Sequence, residues 1–126
     1  MRYKREEAFR FQFRTPLEAS VKIIKENGSY VAANVETAEI MDVSPHGVKF
    51  KTPLNLLIPE NQYLIEVIFV IEGKMIHQLG HPVWKKVEGK NFSYGFNAVE
   101  DERTKKEIIQ ALKDFSRKVI MELKQK

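Results

Sequence analysis

Hydrophobic positions in this chain keep a strand-like spacing for the first hundred residues and then switch to a helical one. Residues 17–25 (Leu-Glu-Ala-Ser-Val-Lys-Ile-Ile-Lys) alternate partially and close on Asn27-Gly28-Ser29, which predicts a strand and a turn. Residues 30–41 predict one or two more strands, with the run Val35 to Met41 delivering Asp42 to a strand end. Val48 to Thr52 resumes after Gly47, and Pro53 stops it. Leu54 to Pro59 reads as a short apolar loop or a turn of helix. Tyr63 to Ile71 is dense in β-branched and aromatic residues, as a well-buried strand requires. Glu72-Gly73 predicts a hairpin turn into Lys74–Trp84, and Glu88-Gly89-Lys90 turns again before a last strand, Phe92 to Val99.

Beyond residue 100 the period lengthens. Ile108, Leu112, Phe115, Val119 and Leu123 recur at spacings of three and four, with Ile109 and Ile120 widening the stripe. Thr104-Lys105-Lys106-Glu107 fits a capping box before it. The pattern therefore predicts a mainly β protein: a six-stranded antiparallel barrel or rolled sheet with one C-terminal helix laid across an end. The helix must dock its stripe on the barrel or on a partner.

Length and composition fit a single soluble domain of 126 residues, 43% hydrophobic and 30% charged. We divide it into an arm (1–14), a barrel (15–100) and the helix (101–126). No apolar run approaches the length of a membrane-spanning helix. The first residues carry Arg2, Lys4, Arg5, Glu6 and Glu7 rather than an apolar stretch, so no secretory signal is expected. The chain has no cysteine, which excludes disulfides and thiolate chemistry and fits a reducing, cytoplasmic setting. A net charge of +4 suits an anionic partner. The surplus is terminal: five Lys/Arg against two Glu in residues 1–14, and eight against five acids in residues 101–126.

The densest chemistry is in Asp42-Val43-Ser44-Pro45-His46-Gly47. Asp42 and Ser44 lie two residues apart, so in extended chain they point to one side. Gly47 permits a backbone angle or a close approach that a side chain would block. Each also has a plainer reading, since Asp and Ser before a turn often cap their own backbone. The basic arm, with Arg5, Arg10 and Arg14, could supply charge opposite the acid.

These features together resemble the PilZ domain, a bacterial receptor module for cyclic diguanylate (c-di-GMP). Asp42-Val-Ser44-Pro-His-Gly47 fits that family's D/N-x-S-x-x-G motif at every fixed position. Leu79-Gly80-His81-Pro82-Val83-Trp84 followed by Phe92-Ser93-Tyr94-Gly95-Phe96 resembles its paired closing strands, and Lys4 to Phe13 resembles its arginine segment. The family's R-x-x-x-R spacing is exceeded by one residue between Arg5 and Arg10, which we favour as the pair because Phe11 and Phe13 then alternate into the first strand. Arg10 to Arg14 has the literal spacing and is the other register.

The resemblance implies a split, PilZ-like barrel that binds c-di-GMP through Arg5, Arg10, Asp42, Ser44 and Gly47, with Arg14 and Trp84 as further candidates. Arginine forks suit a phosphate or the O6/N7 edge of guanine. Asp42 would accept from guanine N1–H and N2–H, Ser44 would add a bond, and Gly47 would leave room for the base or sugar. A protein effector receiving the bound state is implied as well. The alternative is a PilZ-fold adaptor without the ligand, acting through protein contacts alone.

Three further classes find less support in the residues. A basic barrel binding single-stranded nucleic acid would use Phe9, Phe11, Phe13, Tyr94 and Phe96 as stacking surfaces, yet their alternation favours core burial. No metal or other cofactor is expected: His77 and His81 lie four apart in a strand, and His46 stands alone in a turn. No catalytic residues are expected either, as neither a nucleophile–base set nor a Gly-rich phosphate loop is present, so we read the chain as no enzyme.

Overall fold

The structure, a computed structural model, describes residues 10–124. Among them are seven strands and one helix: β1 (Phe11–Glu26), β2 (Ser29–Tyr30), β3 (Glu36–Ser44), β4 (Gly47–Thr52), β5 (Tyr63–Ile71), β6 (Lys74–Glu88), β7 (Asn91–Ala98) and α1 (Glu102–Lys124). The order is β2-β1-β3-β4-β7-β6-β5, and β1 also pairs with β5. That last pairing closes six strands into an antiparallel barrel, with β2 as a short extra strand on β1. The expected fold class is therefore what the chain adopts.

Closure follows from residues with one face to bury. Tyr63, Ile65, Val67, Phe69 and Ile71 of β5 all point inward, and Val21, Ile40, Val43, Val48, Phe50, Ile76, Tyr94 and Phe96 meet them from the other strands. The Glu72–Gly73 turn has both residues at positive φ (50° and 75°), the backbone that matches a two-residue hairpin to strand twist. α1 seals one end with Ile108, Ala111 and Leu112, all buried, and packs on β5 and β6. Phe115 meets Phe11 and Phe13 edge-on, with ring centroids 5.2 and 5.5 Å away. No helix of the described residues is long and apolar enough to cross a membrane.

Four expectations need correction. Residues 11–14, assigned to the arm, belong to β1, because Phe11 and Phe13 bury against Phe115 and draw the chain into the sheet. β3 starts at Glu36 and continues to Ser44, so Asp42 sits within a strand rather than at its end. The helix is capped by Asp101 rather than Thr104. The Asp101 carboxylate accepts from the N–H groups of Arg103 (3.1 Å) and Thr104 (3.3 Å), and from the Thr104 hydroxyl (3.0 Å). Ile120 is 52% exposed and leaves the buried stripe, which narrows to the side facing the barrel.

Tyr94 joins core and loop. Its ring lies beside Phe50, while its buried hydroxyl donates to the Leu54 carbonyl (2.8 Å) and accepts from the Leu56 N–H (2.7 Å). Burial pushes its pKa above the usual tyrosine value. Tyr94→Phe keeps the ring but leaves the loop groups unpaired, so urea unfolding is expected to show a loss of about 1–3 kcal/mol at unchanged m. Asp101 offers a test by pH. Hydrogen bonds from Thr104 first, then Arg103, hold its pKa below the usual aspartate value in the folded chain. Its contribution is therefore full above the unfolded value and is lost as pH falls through the folded one. Protection factors for amide exchange at Arg103 and Thr104 should fall as pH drops through that acid range in the wild type and stay constant across it in Asp101→Asn.

Candidate functional site: an outward band across five strands

Strand register places the sequence-derived candidates together. Gln12, Asp42, Lys49, Gly95 and Trp84 form one row across β1, β3, β4, β7 and β6. In the next row Val43, Val48 and Phe96 are 0%, 2% and 3% exposed and point into the barrel. The Asp42 row therefore faces outward. One step further, Ser44, Gly47, Asn97 and His81 form a second outward row.

Two bulges produce this placement. Between Ile40 and Asp42 the β3–β4 register shifts by a residue, so Ile40 stays in the core while Asp42 turns out. A second shift between Pro82 and Trp84 turns the indole outward, where strict alternation from Gly80 would have pointed it inward. Trp84 is 42% exposed and lies across Gly95, where a Cβ would come within 2.1 Å of the indole Nε1. The Lys49 ammonium stands 5.8 Å from the indole centroid, within cation–π reach.

Arg10, immediately before β1, donates from Nη1 to Asp42 Oδ1. The carboxylate side chain is 8% exposed and the arginine 44%, so the acid lies under the guanidinium. Among the described residues, this is the arginine brought to the motif. Arg14 is exposed on the irregular part of β1, and no ion pair or hydrogen bond among the described residues ties it to Asp42. Arg5 lies outside the described residues.

Ser44 and Gly47 are spent differently from what the resemblance implied. The Ser44 hydroxyl donates to the Gly47 carbonyl (3.2 Å) and accepts from the His46 N–H (3.3 Å), closing its own turn at 2% exposure. A Cβ on Gly47 would fall 1.9 Å from the Phe96 carbonyl oxygen. The space beside Gly47 thus belongs to the β7 backbone rather than to a base or sugar.

Lys49, Gln12 and Gly95 were missed by sequence reasoning. Lys49 carried a usable signal, since it follows Gly47 by two residues in an alternating strand. Gly95 did too, because a glycine inside a strand marks close approach by another group. The chemistry of the band is that of a cationic and aromatic platform: two cations, Arg10 and Lys49, around one buried carboxylate, beside a half-exposed indole. Such a surface can stack a planar ring and neutralise an anion.

The other aromatics do not add to it. Tyr94 and Phe96 are core residues, and Phe11 and Phe13 pack on Phe115. Phe9 lies outside the described residues. His77 contacts Glu66 (3.2 Å) and His81 the Tyr63 carbonyl (2.9 Å). No metal-holding cluster of three or more His, Cys, Asp or Glu occurs among the described residues. No protein-family model matches the chain, and no curated protein matches it.

Gly95→Ala isolates the platform. The added methyl cannot coexist with the indole in its present place, so the sole tryptophan should swing towards water and its emission shift to the red, while far-ultraviolet circular dichroism stays as in the wild type.

Proposed function

We propose that this protein binds c-di-GMP on the outward band and relays the bound state to a protein partner. The observation that carries the reading is the meeting, on one barrel face, of Arg10, Asp42, Lys49 and Trp84. They come from four different strands or strand edges. The likeness of the Asp42–Gly47 segment and of the closing strands to PilZ domains supplies the ligand class.

In this mechanism a guanine stacks on Trp84 and a phosphate meets Lys49. The arginine exchanges its bond with Asp42 for one to the ligand. Asp42, relieved of its partner, accepts from guanine N1–H and N2–H. The ligand must compensate for the lost pair, so binding and displacement of Arg10 are one event. Ser44 and Gly47 act by shaping the turn and seating β4 on β7. The reading is of a cytoplasmic receptor rather than an enzyme.

A second reading, a PilZ-fold adaptor that binds only protein, is favoured by Asp42 and Ser44 both being committed to internal contacts. Calorimetry and thermal shift with c-di-GMP separate the two. The receptor predicts saturable heat and a raised Tm. Arg10→Ala and Lys49→Ala should each bind about ten- to a hundredfold more weakly, as for loss of a charge-assisted contact. Lys49→Ala is the cleaner variant, since it leaves the Arg10–Asp42 pair intact. Absence of heat and of any Tm change at saturating nucleotide would support the adaptor instead.

A further inference from the structure

β6 has β5 along one side from Lys74 onward, but β7 joins its other side only at Gly80. The last backbone bond there runs from the Val99 N–H to the Leu79 carbonyl at 2.8 Å. Alternate residues of an antiparallel strand direct their N–H and C=O groups to the same side. The groups of His77 and Met75 therefore point to this open edge, and no loop or turn bond from a described residue reaches them.

A groove of about 490 Å³ lies along that edge, walled on the far side by the β7–α1 connection and the first turns of α1. That volume is within the usual range for ligand clefts. Gln78 also lines it, at 2% exposure, and neither its amide nitrogen nor its amide oxygen has a partner. Native structures rarely bury a donor and an acceptor unused. The walls are acidic, with Glu66, Glu100, Asp101 and Glu107 against Arg103. With Lys105, which pairs with Glu100 at 2.7 Å, and with neutral histidine, the balance is two negative charges in a chain of net +4.

We propose that this groove captures an extended basic segment of a protein partner, added as a strand to the open edge of β6. The backbone of the segment pairs with Met75 and His77, a basic side chain reaches the carboxylates, and the Gln78 amide bonds to the segment's peptide groups. Each unmet feature then has a counterpart. A helix could not pair with the strand edge, and a small cation would leave it unpaired. An anion is disfavoured because the Asp101 carboxylate, itself negative, already takes the Arg103 and Thr104 N–H groups at the α1 terminus. The proposal stands apart from the cyclic dinucleotide reading.

Nitrogen-15 NMR of the full chain tests it with three capped pentapeptides: Val-Arg-Val-Arg-Val, its alternately N-methylated form, and Val-Glu-Val-Glu-Val. The first should saturably shift the Met75 and His77 amides and the Gln78 side-chain amide, and the other two should not. Gln78→Leu should raise Tm, by removing unpaired buried polar atoms, yet weaken the arginine peptide about tenfold or more. His77→Pro should still fold, since that N–H points away from the β5 ladder, and should lose binding. Equal binding of the N-methylated peptide, no shift at the β6 edge, or unchanged affinity in Gln78→Leu would each overturn strand addition here.

Discussion

Two one-residue bulges decide what this barrel shows to its surroundings. A closed antiparallel ring fixes the phase of every strand, because a side chain that leaves the core must do so in step with its neighbours on both sides. Ile40 and Val43 are both fully buried, with two residues between them where alternation allows one, so one extra residue must be absorbed. Absorbing it puts Asp42 on the outside, level with Lys49. The β6 bulge does the same for Trp84, level with Gly95. Were the same residues paired without a bulge, strict alternation would turn a polar or indole side chain into a core already filled by Phe50, Tyr94 and Phe96, at a cost of several kcal/mol for an unpaired buried carboxylate. The core and the outer band are thus set by the same register.

Much of this was legible in the chain. Tyr63 to Ile71 and the Glu72-Gly73 turn carry strong local signals, β-branched density and a residue pair suited to positive φ, and they fold as read. The helix was legible from its period. Its start was not: Asp101 and Thr104 both suit a cap, and only the geometry of the incoming β7 connection selects Asp101. The first strand was read too short because Phe11 and Phe13 owe their burial to Phe115, about a hundred residues away, and a local window cannot hold that contact.

The candidate site divides in the same way. The motif Asp42–Gly47 was visible by spacing, but which of its members face outward depends on partners in other strands. Gly47 illustrates this: its lack of a side chain is explained by the Phe96 carbonyl on β7, an atom far off in sequence. Arg10 was favoured over Arg14 because Phe11 and Phe13 alternate into the strand after it. The physical reason lies in the pairing: Arg10 stands just outside the sheet, next to a Phe11 paired with Val43, so its guanidinium falls on Asp42, the residue before Val43.

That adjacency gives the proposed signalling route a physical basis. Arg10 is bonded to Asp42 on the barrel's outer face, and with Phe11 it lines a shallow groove against Leu112, Lys113 and Arg117 of α1. The next residues inward from Arg10 on β1, Phe11 and Phe13, hold α1 through Phe115. α1 in turn walls the acidic groove at the β6 edge with its first turns. An event that moves the Arg10 guanidinium acts on a residue covalently next to the α1 contact. Any resulting shift of α1 is bounded by the difference in ligand affinity between the paired and released states of Arg10. A strong Arg10–Asp42 pair therefore sharpens the response while lowering apparent affinity. The exposure of Arg10, 44% against 8% for Asp42, keeps that pair in the range solvent can weaken, where an anionic ligand can compete for it.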